Sequence, residues 1–372
     1  MEIKGSNDVL NLDMEHINSS LKDEFEQMAG KSLLITGGAG FLGYYLVQSI
    51  LYWNRNKTNE DKIKITVYDN YIRGVPEWLT SIEQNEFIKL VKHDIINPLP
   101  KNMGSFEFII HAASIASPHY YRKYPLQTMD ANVGGLRFLL EYAREQKVKG
   151  NPIEGFLFFS TSEIYGDPDP DNIPTAETYR GNVSCTGPRA CYDESKRFGE
   201  TLCVTYAQQF DLPISIARPF NNYGPGLKIT DKRVIPDFMR DVLSNHDIIM
   251  YSNGSPSRTF CYIADAINGY FKVLVNGKKG EAYNIGVEKP EVSMKELADI
   301  ITGVAAKHAD YNGKVIQTES SDLNYLVDNP YRRCPDITKA RTDLGYTPQI
   351  TIEEGLLRTF VWYMENQEAV EA

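Results

Sequence analysis

The sequence predicts a doubly wound α/β fold, a parallel sheet covered by helices on both faces, followed by a smaller C-terminal unit. Three observations carry this reading. Short apolar runs alternate with longer helical stretches; glycines cluster between the first run and the first helix; and 372 residues exceed what one core of about 100–200 residues fills.

Taken in order, residues 1–30 hold seven acids and two lysines, a net of −5 that is half the charge of the whole chain. They read as an acidic extension with one short helix near SSLKDEFEQM, where Ser20 and Asp23 stand at capping-box spacing. From Lys31 the runs SLLIT, IKITVYD, FIKLV, FEFIIHA, GFLFFS and PISIAR follow one another. Strands apolar at nearly every position need cover on both faces, which a parallel sheet with crossover helices supplies. The stretch NRNKTNED is a polar insertion before the second strand. Beyond Gly224 the alternation weakens, and DFMRDVLSN, SMKELADIITGVAAK and TIEEGLLRTFVWYME read as helices, the last opening on Thr351 and Glu354 as a capping box. The expected division is therefore 1–30 extension, 31–224 dinucleotide-binding domain with the chemistry, and 225–372 mainly substrate-binding.

Composition narrows the function. The chain is 42% hydrophobic and 24% charged, with 39 basic against 49 acidic residues and a net charge of −10. An acidic surface repels phosphate backbones and anionic lipid, so neither nucleic acid nor membrane is an expected partner. No apolar run approaches the ~20 residues of a membrane span, and the first residues lack signal-peptide character. Five cysteines, odd in number and without a CxxC pair, read as reduced thiols in a cytoplasmic protein, with no metal site expected.

In LLITGGAGFLGYYL, Gly37, Gly40 and Gly43 lie between the first strand and a helix. A tight turn and close approach to a pyrophosphate demand glycine there, and free N–H groups at the helix start receive the phosphate. Phe41 and Leu42 belong to the same turn. This is the Rossmann arrangement. Asp69, ending the second strand, fits the acid that binds the adenosine ribose, with Asn70 beside it. A carboxylate there favours NAD over NADP, although Arg73 keeps NADP open. Asp94, with Ile95 after the third strand, reads either as an adenine contact or as a solvated turn residue.

CYDESK sets Tyr192 and Lys196 at i, i+4 on one helix face. A phenol near pKa ~10 is a poor base at neutral pH. A neighbouring ammonium and a positive nicotinamide favour its phenolate, so Tyr192 takes a hydroxyl proton as hydride leaves the same carbon. Lys196 also serves the nicotinamide ribose. Thr161, Ser162 and Glu163 follow the strand GFLFFS, at the carboxyl end where doubly wound sheets do chemistry. Thr161 can share a hydrogen bond with the substrate hydroxyl. Glu163 reads as a second acid/base whose pKa rises with burial. His111 reads as a packed residue.

The glycine loop, TSE and YxxxK together resemble the extended short-chain dehydrogenase/reductase family of nucleotide-sugar enzymes. Within it, HAASIASPHYY, STSEIYGDPDPDNIP, GPRACYDESKR, RPFNNYGP, KRVIPDF, GSPSRTFCYIAD and RRCPDITKARTDLGY are most similar to the decarboxylases acting on UDP-glucuronate. The resemblance implies NAD as cofactor, a homodimer, and a catalytic set of Thr161, Ser162, Glu163, Tyr192, Lys196 and Arg233. It implies substrate contacts from Ser117, Tyr121, Asn221, Arg233, Arg258 and Arg333, with Arg258 at the diphosphate. Two departures stand out: FNNYGPG puts Gly226 where an arginine is usual, and HAASIASP replaces HLASPASP. The implied reaction is decarboxylation through a transient 4-ketone. A 4,6-dehydratase or a 4-epimerase shares the first oxidation, and a non-catalytic NAD sensor on the same fold is the alternative of another class.

Overall fold

The computed structural model describes residues 3–319, 327 and 329–366. Its centre is a seven-stranded, all-parallel sheet of β1 (Ser32–Thr36), β2 (Lys64–Asp69), β3 (Ile88–Lys92), β4 (Phe108–His111), β5 (Gly155–Phe159), β6 (Ile214–Pro219) and β7 (Ala282–Ile285). Across the sheet the order is β7-β6-β5-β4-β1-β2-β3. The order reverses between β1 and β4, and in doubly wound sheets a ligand crevice opens at that point, beyond the carboxyl ends of the strands.

The period of two along each strand splits the interior into two cores. Leu33, Ile35, Ile110, Leu157 and Phe159 face α3 (Phe41–Asn54) and α7 (Ile263–Asn276). Leu34, Ile109, Phe156, Phe158, Ile214 and Ile216 face α4 (Leu136–Val148) and α5 (Ala190–Phe210). The six expected strands are all present. The polar stretch NRNKTNED connects α3 to β2 as a loop.

Two expectations are corrected. The boundary at 224 does not hold for the sheet, because α7 and β7 return from beyond it, β7 pairing with β6. Residues 3–30 are no extension. They form α1 (Ser6–Ser20) and α2 (Lys22–Met28), whose Val9, Ile17, Leu21, Phe25 and Met28 are fully buried. Apolar residues at 10, 14, 17, 21, 25 and 28 are spaced by three and four, a helical stripe that the acid count obscured. Ser20 does not cap α2. It ends α1, and Leu21 holds the N-cap position without a side-chain bond.

Further long helices are α6 (Val234–Leu243), α8 (Met294–His308) and α9 (Ile352–Glu365). Thr351 caps α9 by accepting from the Glu354 amide at 3.2 Å, whereas Glu354 turns to Arg358 rather than closing a reciprocal box. Ser293 and Glu296 form a full capping box on α8. A small ladder joins 257–258 to 332–333 and sets Arg258 directly beside Arg333.

Candidate active site

A single cleft of about 1630 Å³ crosses the carboxyl ends of the strands. Every residue the sequence singled out for cofactor, catalysis or substrate lines it.

At one end the β1–α3 turn is built to leave room. Gly37 has φ +74, and a Cβ there would stand 2.6 Å from the Ala113 backbone; a Cβ on Gly43 would stand 2.2 Å from the Gly38 carbonyl oxygen. Gly40 is the N-cap of α3 and offers no side-chain cap, so the first helical N–H groups stay free for an anion. Phe41 and Leu42 continue this wall. Asp69 accepts from Ala39 N at 3.0 Å and Tyr71 N at 2.8 Å, bracing the turn it faces, while burial raises its carboxyl above the ordinary range. Asn70 donates to Asp94 at 3.1 Å, and Asp94 also receives the Ile96 amide at 3.3 Å, so Asp94 takes part in its own turn while lining the cleft beside Ile95. Arg73 is committed elsewhere: its guanidinium pairs with Asp231 at 2.9 Å and lies 4.5 Å from the Tyr120 ring centroid. Glycines that admit no Cβ, free helix amides and a carboxylate ending β2 fit NAD.

At the other end β5 leads into the residues expected to react. Beyond Phe159 the chain stays extended through Thr161, whose Oγ1 accepts from the Glu163 amide at 3.2 Å and opens the short turn Ser162–Tyr165. Tyr192 and Lys196 stand on the first turns of α5. Tyr192 stacks on Tyr121 with ring centroids 5.0 Å apart at 7°, and Thr161 acts on its hydroxyl to favour the phenolate. Burial outweighs everything else acting on this phenol and pushes it up to about 12. The leading opposing influences are Thr161 and Arg233, rather than the expected Lys196. Lys196 is itself buried, donates to the Phe159 carbonyl at 2.7 Å, and is pushed down to about 7. In the protein alone, burial therefore outweighs the groups that favour the phenolate.

The expected rise of the Glu163 pKa is corrected. Arg333 donates one N–H to each carboxylate oxygen, both at 2.6 Å, and Arg189 pairs with Oε2 as well. The two guanidiniums overcome burial and hold the carboxyl down at about 2. It is an ionised anchor, not a group poised to exchange protons near neutrality.

Around it the substrate end is cationic. Arg258, 7% exposed, donates to the carbonyls of Tyr331 at 2.9 Å and Pro330, and to Asn329. Burial, with Arg333 beside it, lowers it to about 9. Arg233 pairs with Asp231 at 2.7 Å at the start of α6. Ser117 donates to the Asp231 carbonyl at 2.8 Å, and Asn221, at φ +40, donates to the Thr259 carbonyl at 2.9 Å. Gly226, at φ +86, has space neither for arginine nor for any Cβ, which would stand 2.4 Å from the Tyr44 ring. His111 is a packed residue: Thr36 bonds its Nδ1 at 2.7 Å and burial lowers it to about 3. The five cysteines are free thiols.

Arg189 and Asp231 were missed by the sequence reading. Arg189 sits three residues before Tyr192, a cation beside the phenol that spacing alone could have flagged. Asp231 had no local signal, since its partners lie on other segments.

Residues 33–286 match the NAD dependent epimerase/dehydratase family. Among curated relatives, the chain is 34% identical over 342 residues to UDP-glucuronic acid decarboxylase 1 of Xenopus tropicalis, covering 91% of this chain and 73% of the relative. Among solved structures it is similar to an epimerase of Methanothermobacter thermautotrophicus, with TM-score 0.78, 27% identity, and coverage of 95% and 98% of the two chains. It is also similar to the dTDP-glucose 4,6-dehydratase DesIV of Streptomyces venezuelae with NAD bound, with TM-score 0.76, 25% identity, and coverage of 90% and 98%. With its seven-stranded parallel sheet, its glycine turn and its Tyr192–Lys196 pair in one cleft, the chain belongs to the NAD-dependent epimerase/dehydratase family and is an enzyme that uses NAD.

Proposed function

We propose that this enzyme is a lyase that decarboxylates UDP-glucuronate to UDP-xylose through a transient ketone at sugar carbon 4. The observation that carries the reading is that Tyr192, on α5, and Thr161, just past β5, line the same cleft as the arginines Arg258 and Arg333. When bound, NAD supplies hydride acceptance from carbon 4, its later return, and a positive ring charge. Tyr192 takes the carbon 4 hydroxyl proton, with Thr161 sharing the hydrogen bond and Arg233 favouring the phenolate. Because the phenol alone sits at about 12, proton removal belongs to the loaded complex. Lys196, held on the Phe159 carbonyl, is placed for the nicotinamide ribose. Arg258 suits the diphosphate, since its forked donors match phosphate oxygens. Once carbon 4 is a carbonyl, the bond to the neighbouring carboxylate breaks, its electron pair moves into the carbonyl, carbon dioxide leaves, and carbon 5 takes a proton. No net redox occurs.

The 4,6-dehydratase reading needs an acid over carbon 6, and Ser162 occupies the middle of the TSE triplet, which counts against it. A 4-epimerase needs only the tyrosine–lysine pair and room for the ketone to turn. Incubating the holoenzyme with UDP-glucuronate decides: carbon dioxide and a UDP-pentose are expected. Conversion of another nucleotide sugar, with neither product formed, overturns the reading. Tyr192→Phe is expected to stop turnover while keeping NAD bound, whereas a sensor would be indifferent to it.

We infer also a cytoplasmic homodimer paired through α4 and α5. Phe198, 51% exposed on α5, and Leu126, 66% exposed on the segment leading into α4, support an apolar seam there, and the free thiols support a reducing compartment. Among the described residues no helix is long and apolar enough to cross a membrane.

A further inference from the structure

The geometry assigns to Arg189 a positioning role: together with Arg333 it keeps the Glu163 carboxylate from acting as a base, and so confines the 4-keto sugar to loss of carbon dioxide. This inference rests on the decarboxylase reading above.

Glu163 lies two residues beyond Thr161 and lines the same cleft, so its carboxylate stands close to where the oxidised sugar reacts. A free carboxylate in that place is a hazard. Carbon 5 of the ketone carries both a hydrogen and the substrate carboxyl, and either can be lost. If a base removes the C5 hydrogen, its electron pair moves into the C4 carbonyl and the carboxyl is kept; reprotonation on the opposite face then gives the 5-epimer. If the C5–C6 bond breaks instead, the same pair moves into the carbonyl and carbon dioxide departs. An uncommitted carboxylate at that carbon opens the first route, since its oxygens can accept the C5 proton.

The structure removes that base. Arg333 occupies both oxygens with parallel donors at 2.6 Å, and Arg189 adds a further contact to Oε2. Arg189 is 7% exposed, stands at the N-cap of the helix that carries Tyr192, and has Asp193 Oδ2 3.8 Å from its Nε, so its orientation is set by the same helix turn that sets the phenol. The direction of the Glu163 titration, far below the usual carboxylate range, agrees with this clamp. Lysine, a point charge without the fork, does not reproduce it.

The test uses the NAD-loaded enzyme and UDP-glucuronate in deuterium oxide. Wild type is expected to return unreacted substrate free of deuterium at carbon 5 and a pentose carrying one deuterium there. Arg189→Gln is expected to return C5-deuterated substrate at least tenfold more often per turnover, with 5-epimer detectable; Arg189→Lys falls between. Adding Glu163→Gln to Arg189→Gln is expected to abolish the exchange, identifying Glu163 as the unmasked base. Exchange at the wild-type level in Arg189→Gln, in protein that still retains NAD and releases carbon dioxide, overturns the inference. If Arg189→Gln does not retain NAD, Arg189→Lys decides alone, and wild-type exchange in it overturns the inference. Wild type that releases no carbon dioxide overturns the decarboxylase reading instead.

Discussion

Asp13 and Glu163 are both largely buried carboxylates held by arginine, yet they titrate in opposite directions. Asp13, on α1, receives Tyr45 at 2.6 Å, Tyr262 at 2.7 Å and one guanidinium, Arg358, at 2.5 Å; burial still wins and raises its pKa. Glu163 has two guanidiniums and is driven down to about 2. The phenols that face Asp13 donate dipoles, which fall short of a second full charge. The first cluster ties α1 to α3, α9 and the segment before α7, and braces the fold. The second holds an ion inside the reaction cleft. Glu163 has two guanidiniums where Asp13 has one, and it is also the less completely buried of the two.

Removing one key side-chain group from each region gives the sharpest contrast. Tyr192→Phe is expected to lower kcat about a thousandfold with NAD still bound, measured by product formation and cofactor content. A loss below tenfold breaks the assignment of the site. Asp13→Ala leaves Arg358 buried against a missing partner and is expected to cost about 3–5 kcal/mol in urea unfolding, with kcat per folded molecule unchanged. If stability holds, α1 is ornamental to the fold.

Acid titration separates the two carboxylates by sign. The folded pKa of Glu163 lies below its unfolded value of 4.5, so the stability it contributes is present above that pH and fades as pH falls toward 2. Melting temperatures of wild type and Glu163→Gln should converge over that window. The folded pKa of Asp13 lies above 3.8, so its own contribution weakens as pH rises through that region, and Asp13→Asn should lose that trend. Parallel curves for both variants would erase the distinction. The smallest effect is expected from Tyr45→Phe, about 1 kcal/mol for one lost hydrogen bond, with activity kept.

Much of this was legible from local pattern. The six strands, the glycine turn, and Tyr192 with Lys196 on one helix face are all set by spacing within a few residues. Reading α1 and α2 as an extension came from weighing their acids above their apolar stripe. The depth of burial at Tyr192 and Lys196, which raises the phenol and lowers the amine alike, was not legible in their spacing.

By itself, then, the sequence determined the parallel sheet, the dinucleotide turn and the shared helix face of Tyr192 and Lys196, because strand period, turn sterics and helical pitch act over short stretches. Only the tertiary structure decided that β7 completes the sheet from beyond the expected boundary and which charge Glu163 carries. Glu163 and Arg333 lie 170 positions apart, and Asp13 and Arg358 lie 345 apart. A carboxylate's protonation follows the cations and water that folding brings to it, and no local spacing encodes those.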